Sequence, residues 1–356
     1  LKREMKKEVK KEVKNRTKKK FIVSFGITLA VMLCVMLVGG GVYAGIQVLT
    51  RAPYIPAYVE IRPPVRDSDN AGETETPNIT ESTIMQRKPY FYTFLLFGID
   101  NSNNTDVIMV AALDTVSREA FLVSVPRDTR IETQRRLRKP VSAYAVGRTG
   151  GRGHEGGVAE LTSDMKSLFG FEPDFYVRID YAAFERAVDS VGGVTVNVPF
   201  HMRYDDPIDN LSINIPAGVQ VLNGRQALHF ARYRMGNAGF RTITDYERIE
   251  NQQQIIRALF AQLLSPATIT RVPDLIDIYR EHVHTNMTYR EMLWFGEQLR
   301  HLSGATISTY TIPTLGTSGT PHWFEIPCRD GILELVNRTI SPFVEDITAE
   351  MVNIAQ

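Results

Sequence analysis

Two stretches of this 356-residue chain gather the side-chain types that phosphate chemistry asks for. In the first, Asp100 and Asp106 flank the short polar loop 101–105. Two carboxylates so placed suit a hard divalent cation such as Mg²⁺, which takes one or two carboxylates and completes its shell with water and substrate phosphate. Taken alone, they read more simply as turn acids. Arg127 follows in Val125-Pro126-Arg127-Asp128, at the end of an apolar run. Its planar fork matches phosphate oxygens, although an ordinary ion pair with Asp128 is an equal reading. In the second stretch Arg232, Arg234 and Arg248 surround Asp245. Three guanidiniums in so short a span repel one another unless an anion sits among them; solvated charge on helix faces is the plainer alternative.

Positioning these groups falls to an α/β pattern. Three β-type runs succeed one another, Phe94–Ile99, Val107–Leu113 and Ala120–Val125. The acids and Arg127 lie at their ends, where ligands bind in α/β sheets. A Thr244/Glu247 capping box opens a helix with the stripe Ile249, Ile256, Phe260 and Leu263. Asp245, Arg248 and Gln252 share one face of it, and Gln252 borders the stripe. Helices are also predicted over Val158–Phe169, closed by Gly170, and after Asp180 through Phe184, Val188 and Val191. Strands are predicted at Phe175–Ile179, Val194–Val198, Thr306–Ile312 and Trp323–Ile326, with short helices ending the chain. The basic, glycine-rich stretch Arg135–Gly157 reads as a long mobile loop.

The bulk numbers set the context. Residues 1–20 carry eleven Lys/Arg against three Glu, so the remainder, with 30 basic and 37 acidic side chains, is negative. The basic character is therefore a tail and not a nucleic-acid surface. Residues 21–49 contain no charge and are long enough to span a bilayer. The positive-inside bias puts 1–20 in the cytoplasm and everything after Arg51 outside, as a single-pass protein of the cell membrane. Residues 50–88 are Pro-rich and polar and read as a linker, so the folded domain is expected over 89–356. Of the two cysteines, Cys34 lies in the apolar run, which argues against a disulfide with Cys328. His282 and His284 lack partners at zinc-like spacing and read as structural. No Gly-x-Ser-x-Gly, Walker A or Gly-x-Gly-x-x-Gly pattern carries the chemistry, which argues against serine hydrolases, P-loop enzymes and Rossmann dehydrogenases.

Several stretches in order resemble the LytR-CpsA-Psr family of cell-envelope phosphotransferases. They are FGID at 97–100, TDVIMVAAL at 105–113, LVSVPRDT at 122–129, AVDSVGGVTVNVP at 187–199, LNGRQALHFARYR at 222–234 and DYERIENQQQ at 245–254, with HTNMTYREML at 284–293. The resemblance implies a mixed central sheet sandwiched between helices, with an apolar cleft for a lipid tail, preceded by one transmembrane helix. It implies transfer of an anionic glycopolymer of teichoic-acid, capsule or arabinogalactan type. The donor would be a polyprenyl-diphosphate carrier at the membrane and the acceptor a peptidoglycan hydroxyl, with release of polyprenyl phosphate. By motif position, Asp100 and Asp106 hold Mg²⁺, with Mn²⁺ an alternative. Arg127, Arg232, Arg234 and Arg248 grip the diphosphate, Asp245 and Gln252 orient them, and Lys139 matches a Lys that follows the Pro-Arg-Asp motif. Arg127, Asp106 and Asp245 are the catalytic group, and the general base stays open between Asp106 and a metal-bound hydroxide.

The chain also departs from the family pattern. Asn104 and Asn251 stand where the family has arginines, the Asp100–Asp106 loop is short, and the span from Arg234 to Asp245 is long. A replacement phosphate contact could come from Arg135–Arg152. Two other readings fit the same residues: a non-catalytic envelope regulator that binds lipid diphosphates, and a diphosphatase in which water replaces the acceptor hydroxyl.

Overall fold

The computed structural model describes residues 51–63, 82–100, 102–206, 211–263, 283–299, 301–302, 306–318 and 323–354. The basic tail at 1–20 and the membrane helix expected at 21–49 lie outside these residues, and among the described residues no helix is long and apolar enough to cross a membrane. The chain divides into two compact units, residues 1–53 with 289–294 and residues 54–288 with 295–356. Of the first, only 51–53 and 289–294 are described, the latter as the opening turns of a helix.

In chain order, an antiparallel pair of β1 (Tyr58–Ile61) and β2 (Thr83–Gln86) precedes β3 (Phe91–Ile99), β4 (Thr105–Asp114) and β5 (Glu119–Ser124). Helices α1 (Pro140–Gly147) and α2 (Gly153–Phe169) cross to β6 (Phe175–Asp180), which runs directly into α3 (Tyr181–Ser190). Four short strands follow: β7 (Val194–Val198), β8 (Met202–Asp206), β9 (Leu211–Ile215) and β10 (Gly218–Leu222). Then come α4 (Gly224–Arg232) and α5 (Asp245–Leu263), β11 (Val283–Thr285), α6 (Tyr289–Leu299), β12 (Ile307–Thr311), β13 (Thr314–Ser318), β14 (Phe324–Pro327) and α7 (Arg329–Arg338).

The expected mixed sheet is present. Its order is β11-β6-β3-β4-β5-β12, with β3–β6 and β5–β12 parallel and the other neighbours antiparallel. The registers Ile99↔Asp180, Ile99↔Thr105, Met109↔Ser124 and Thr311↔Ser124 bring the carboxyl ends of β3, β5, β6 and β12 and the amino end of β4 to one edge. One sheet face is covered by a core of Leu95, Phe97 and Val110 with Leu161 and Met165 of α2 and Ile332 and Val336 of α7. A second core lies in the 188–255 segment, where Val194, Val196 and Val198 of β7 alternate inward and pack with Met202, Ile213, Phe230, Tyr233 and Ile255.

Local chemistry sets the ends of the elements. Gly170 closes α2 in the left-handed region at φ 77°, and Asp180 caps α3 by accepting from the Ala183 N–H at 2.8 Å. Asn223 and Gln226 form a capping box on α4. On α5 the Thr244 N–H donates to Glu247 and the Glu247 N–H donates back to Thr244 Oγ1, as the sequence predicts.

Two expectations are corrected. The stretch 135–157 is not a loop, because it contains α1 and the start of α2. Its basic residues mask a buried apolar face of Ala143 and Tyr144, and Pro140 sits at the helix start, where its missing N–H costs nothing. Arg135 faces inward, pairing with Glu160 at 2.8 Å and Asp164 at 2.6 Å. Here α1 and α2 touch backbone to backbone: a Cβ on Gly147 would lie 2.3 Å from the Gly156 carbonyl oxygen, and one on Gly157 2.6 Å from the Tyr144 ring. The folded body also starts upstream of residue 89, since β1 and β2 bury Ile61 and Met85 in the main core.

Candidate functional site

Asp106 stands at the sheet edge between two donors. Its Oδ1 accepts from Arg127 Nη1 at 2.6 Å and its Oδ2 from the Tyr181 hydroxyl at 2.6 Å. Topology explains the meeting. Arg127 follows β5, Tyr181 follows β6, and both strands end at the edge where β4 begins. Burial, then the charge and hydrogen bond of Asp106, hold the Tyr181 hydroxyl far above the usual phenol range, so it stays a donor. The Arg232 guanidinium stacks 4.7 Å from the centre of the Tyr181 ring.

Helix α5 supplies the other half. Asp245 and Arg248 are both buried, with Arg248 Nη2 at 3.1 Å from Asp245 Oδ1 and Arg234 Nε at 3.9 Å from the same oxygen. Burial, then repulsion from Arg127, pull the Arg248 pKa down; Asp245 and Asp106 oppose this and Arg234 adds to it. Arg248 therefore feels both halves. Among the described residues its Nε is buried without a hydrogen-bond partner, and Asp245 Oδ1 has no hydrogen bond beyond its charge contacts. A buried guanidinium with a spare N–H beside two further arginines is an oxyanion site in form.

The structure thus brings Asp106 and Arg127 together with Arg232, Arg234, Asp245 and Arg248, two groups far apart in the chain. Three other residues singled out in the sequence sit at the margin. Asp100 spends its carboxylate on its own loop, accepting from the Ser102 and Asn104 N–H groups at 2.8 Å each and from the Asn104 side chain at 3.1 Å. It still acts electrostatically on Tyr181. Lys139 donates to Asp128 at 2.7 Å, and Asp128 in turn lies 3.7 Å from Arg127 Nε, so Lys139 reaches Arg127 through an intermediary. Among the described residues Gln252 bonds no arginine; its Nε2 donates to the Ala231 carbonyl at 3.4 Å, next to Arg232.

Three contributors are not legible in the sequence. Tyr181 looks like the first residue of a helix, and only the parallel β3–β6 pairing reveals its proximity to Asp106. Gln253 ties α5 to the sheet, donating to Ser124 Oγ at 2.9 Å, the Tyr310 carbonyl at 2.9 Å and Thr311 Oγ1 at 3.2 Å. Glu325 is buried at the flank, its pKa pushed up by burial and by the charges of Asp245 and Asp128.

The donor set sets limits on a metal. Among the described residues no cluster of three or more His, Cys, Asp or Glu could cage an ion. Asp106 uses one lone pair on each oxygen, leaving one on each for a cation. One or two carboxylates completed by substrate phosphate is a Mg²⁺ arrangement; Asp106 has the lone pairs to supply one of them, and Asp100, with Oδ1 already taking two N–H groups, could add only Oδ2. An open groove of about 490 Å³ lined by Glu155, Val158, Phe175, Tyr176 and Asn286 contains none of these residues.

The chain as a whole has known relatives. The model of the LytR_cpsA_psr family matches residues 59–328. The polyisoprenyl-teichoic acid–peptidoglycan teichoic acid transferase TagV of Bacillus subtilis (strain 168) is 26% identical over 276 residues, which cover 73% of this chain and 66% of TagV. The regulatory protein MsrR of Staphylococcus aureus (strain COL) is 27% identical over 202 residues, covering 55% of this chain and 56% of MsrR. The matched part thus spans between about half and two thirds of these relatives. The crystal structure of B. subtilis TagV superposes with a TM-score of 0.57 at 24% identity, covering 76% of this chain and 100% of that one, a likeness of fold.

Proposed function

The chain belongs to the LytR_cpsA_psr family, and from that premise we propose that it is a membrane-anchored transferase of cell-envelope glycopolymer. It moves an anionic polymer of teichoic-acid, capsule or arabinogalactan type from a polyprenyl diphosphate to a peptidoglycan hydroxyl. The observation that carries this reading is the buried Arg248, with its unpartnered Nε, beside Arg127 and Arg234 at the sheet edge. The TagV name, that of a teichoic acid transferase, supports the substrate class.

The acceptor hydroxyl oxygen forms a bond to the phosphorus next to the glycan, and its proton passes to Asp106 or to the departing polyprenyl phosphate. The bond from that phosphorus to the bridging oxygen breaks, and its electron pair leaves with polyprenyl phosphate. Such transfers ask the protein mainly for positioning and charge neutralisation. Arg127, Arg232, Arg234 and Arg248 hold the diphosphate oxygens and meet the charge that grows on the leaving phosphate. Asp245 fixes Arg248 and Arg234; Asp106 fixes Arg127 and receives a hydrogen bond from Tyr181. Asp106 and Asp100 would hold Mg²⁺ or Mn²⁺, which when bound supplies further neutralisation of the diphosphate.

The test incubates the full chain with a labelled polyprenyl-diphosphate glycan, Mg²⁺ and peptidoglycan fragments. Label on peptidoglycan is the expected result, and Arg127→Ala abolishes it while the circular dichroism spectrum is unchanged. Free phosphorylated glycan would make the protein a diphosphatase. Binding without either product would make it a regulator, the reading that the MsrR name and Asn104 favour. Normal turnover by the Arg127→Ala chain would remove the site assignment.

A further inference from the structure

A second group of cationic side chains lies next to the Asp100–Asp106 loop and has no part in the chemistry above. Arg178, on β6, is buried at 8% exposure and makes no ion pair among the described residues. Its Nη1 donates to the Tyr144 hydroxyl at 2.9 Å, and its Nε is buried with no hydrogen-bond partner among the described residues. Arg148, half-buried at the end of α1, lies 5.5 Å from the centre of the Tyr144 ring and donates to Asn103 Oδ1 at 2.6 Å, again with no ion pair. His154 completes the ring of groups, with Nδ1 2.8 Å from the Tyr144 hydroxyl and Nε2 3.1 Å from the Tyr176 hydroxyl. His284, paired with Arg178 across β11 and β6, is exposed and stacks 5.0 Å from His154.

A guanidinium can only donate, so the Tyr144 hydroxyl accepts from Arg178 and keeps its own proton available for His154 Nδ1. The other ring nitrogen, Nε2, faces the Tyr176 hydroxyl. Burial, then Arg178, His284 and Arg148, push the His154 pKa down to about 4. The acid felt here is Asp180, which acts on His284 and is engaged in capping α3. Helix α2 starts at Gly153 with no side-chain cap, so its positive end adds to the field, and the one acid in its first turn, Glu155, is exposed. Burying an arginine with neither carboxylate nor full hydrogen bonding is costly unless a ligand completes it.

We propose that Arg148, Arg178 and His154, gathered round Tyr144, form a second anion site that takes a phosphate-class oxyanion. Two guanidinium forks offer donors from two directions, and the imidazole adds positive charge when it is protonated, which suits a multiply charged oxyanion. Resting on the transferase reading, its natural occupant is a phosphodiester of the polymer, one or more repeats away from the diphosphate, and the site then reads the polymer's anionic backbone. The existence of the site does not depend on that reading.

The experiment follows the imidazole resonances of the full chain carrying Arg127→Ala, which removes the diphosphate grip, with His154→Phe for assignment. Inorganic phosphate and a bis-glyceryl phosphodiester are the two probes. Both are expected to raise the His154 pKa by about a unit or more, because a bound anion favours the charged ring. Arg148→Gln, a half-exposed change that leaves the core alone, is expected to weaken both effects about tenfold, the equivalent of one lost charge-assisted bond. A response to phosphate but not to the diester overturns the polymer assignment. A His154 titration that neither probe moves overturns the site, whatever the transferase assay shows.

Discussion

At the scale of single residues the site is a balance of burial against charge, and Tyr181 shows how. Its hydroxyl occupies one oxygen of Asp106 and leaves the carboxylate facing Arg127 with the other. Tyr181→Phe removes one charge-assisted hydrogen bond without changing shape, so turnover should fall about tenfold with little change in melting temperature. An unchanged rate would remove Tyr181 from the positioning group. His154 gives a pH signature. Its folded pKa lies near 4, below the ordinary 6.5 of the unfolded chain, so between those values the unfolded state binds more protons. Stability is fully present above about pH 6.5 and is lost as pH falls toward 4; urea midpoints across that window should drop more in the natural chain than in His154→Phe. The sequence makes Arg127, Arg232, Arg234, Asp245 and Arg248 visible because their spacing is short or motif-like. It hides Tyr181 and Arg178, whose neighbours come from strands and helices distant in the chain.

At the scale of elements, helix ends were legible and strand partners were not. The Thr244/Glu247 box, the Asp180 cap and Gly170 announce their helices through local side-chain chemistry. By contrast the 135–157 stretch misleads, because composition counts its arginines and glycines without saying which face inward. Arg135 is the instructive case, at 6% side-chain exposure and bonded to Asp164 at 2%. Arg135→Ala would leave a buried carboxylate without its partner, and chemical denaturation should show a loss of about 3–5 kcal/mol. A loss under 1 kcal/mol would mean that Asp164 takes up a proton at no cost. Gln253 plays the corresponding part on the other side, fastening α5 to β5 and β12 and so keeping Arg248 in register with Arg127.

At the scale of the molecule the folded body includes a strand pair that composition assigns to a linker. Met85 is 1% exposed in the main core, so Met85→Ala should cost about 2–5 kcal/mol. Ile61→Ala, at 6% exposure, should behave likewise. A chain begun at residue 89 should unfold well below one begun at residue 54, and equal midpoints for the two would show that the pair is dispensable. The backbone contact between α1 and α2 has a consequence of another kind, for heredity. Every single-nucleotide change at a glycine codon that alters the residue adds at least a Cβ, and neither Gly147 nor Gly157 has room for one. At Gly296 on α6, by contrast, an added Cβ meets nothing within 4 Å and the backbone is not in the left-handed region. Surviving lineages should therefore carry a frozen pair of positions where that one drifts, and the tyrosine beneath the pair inherits its immobility from them.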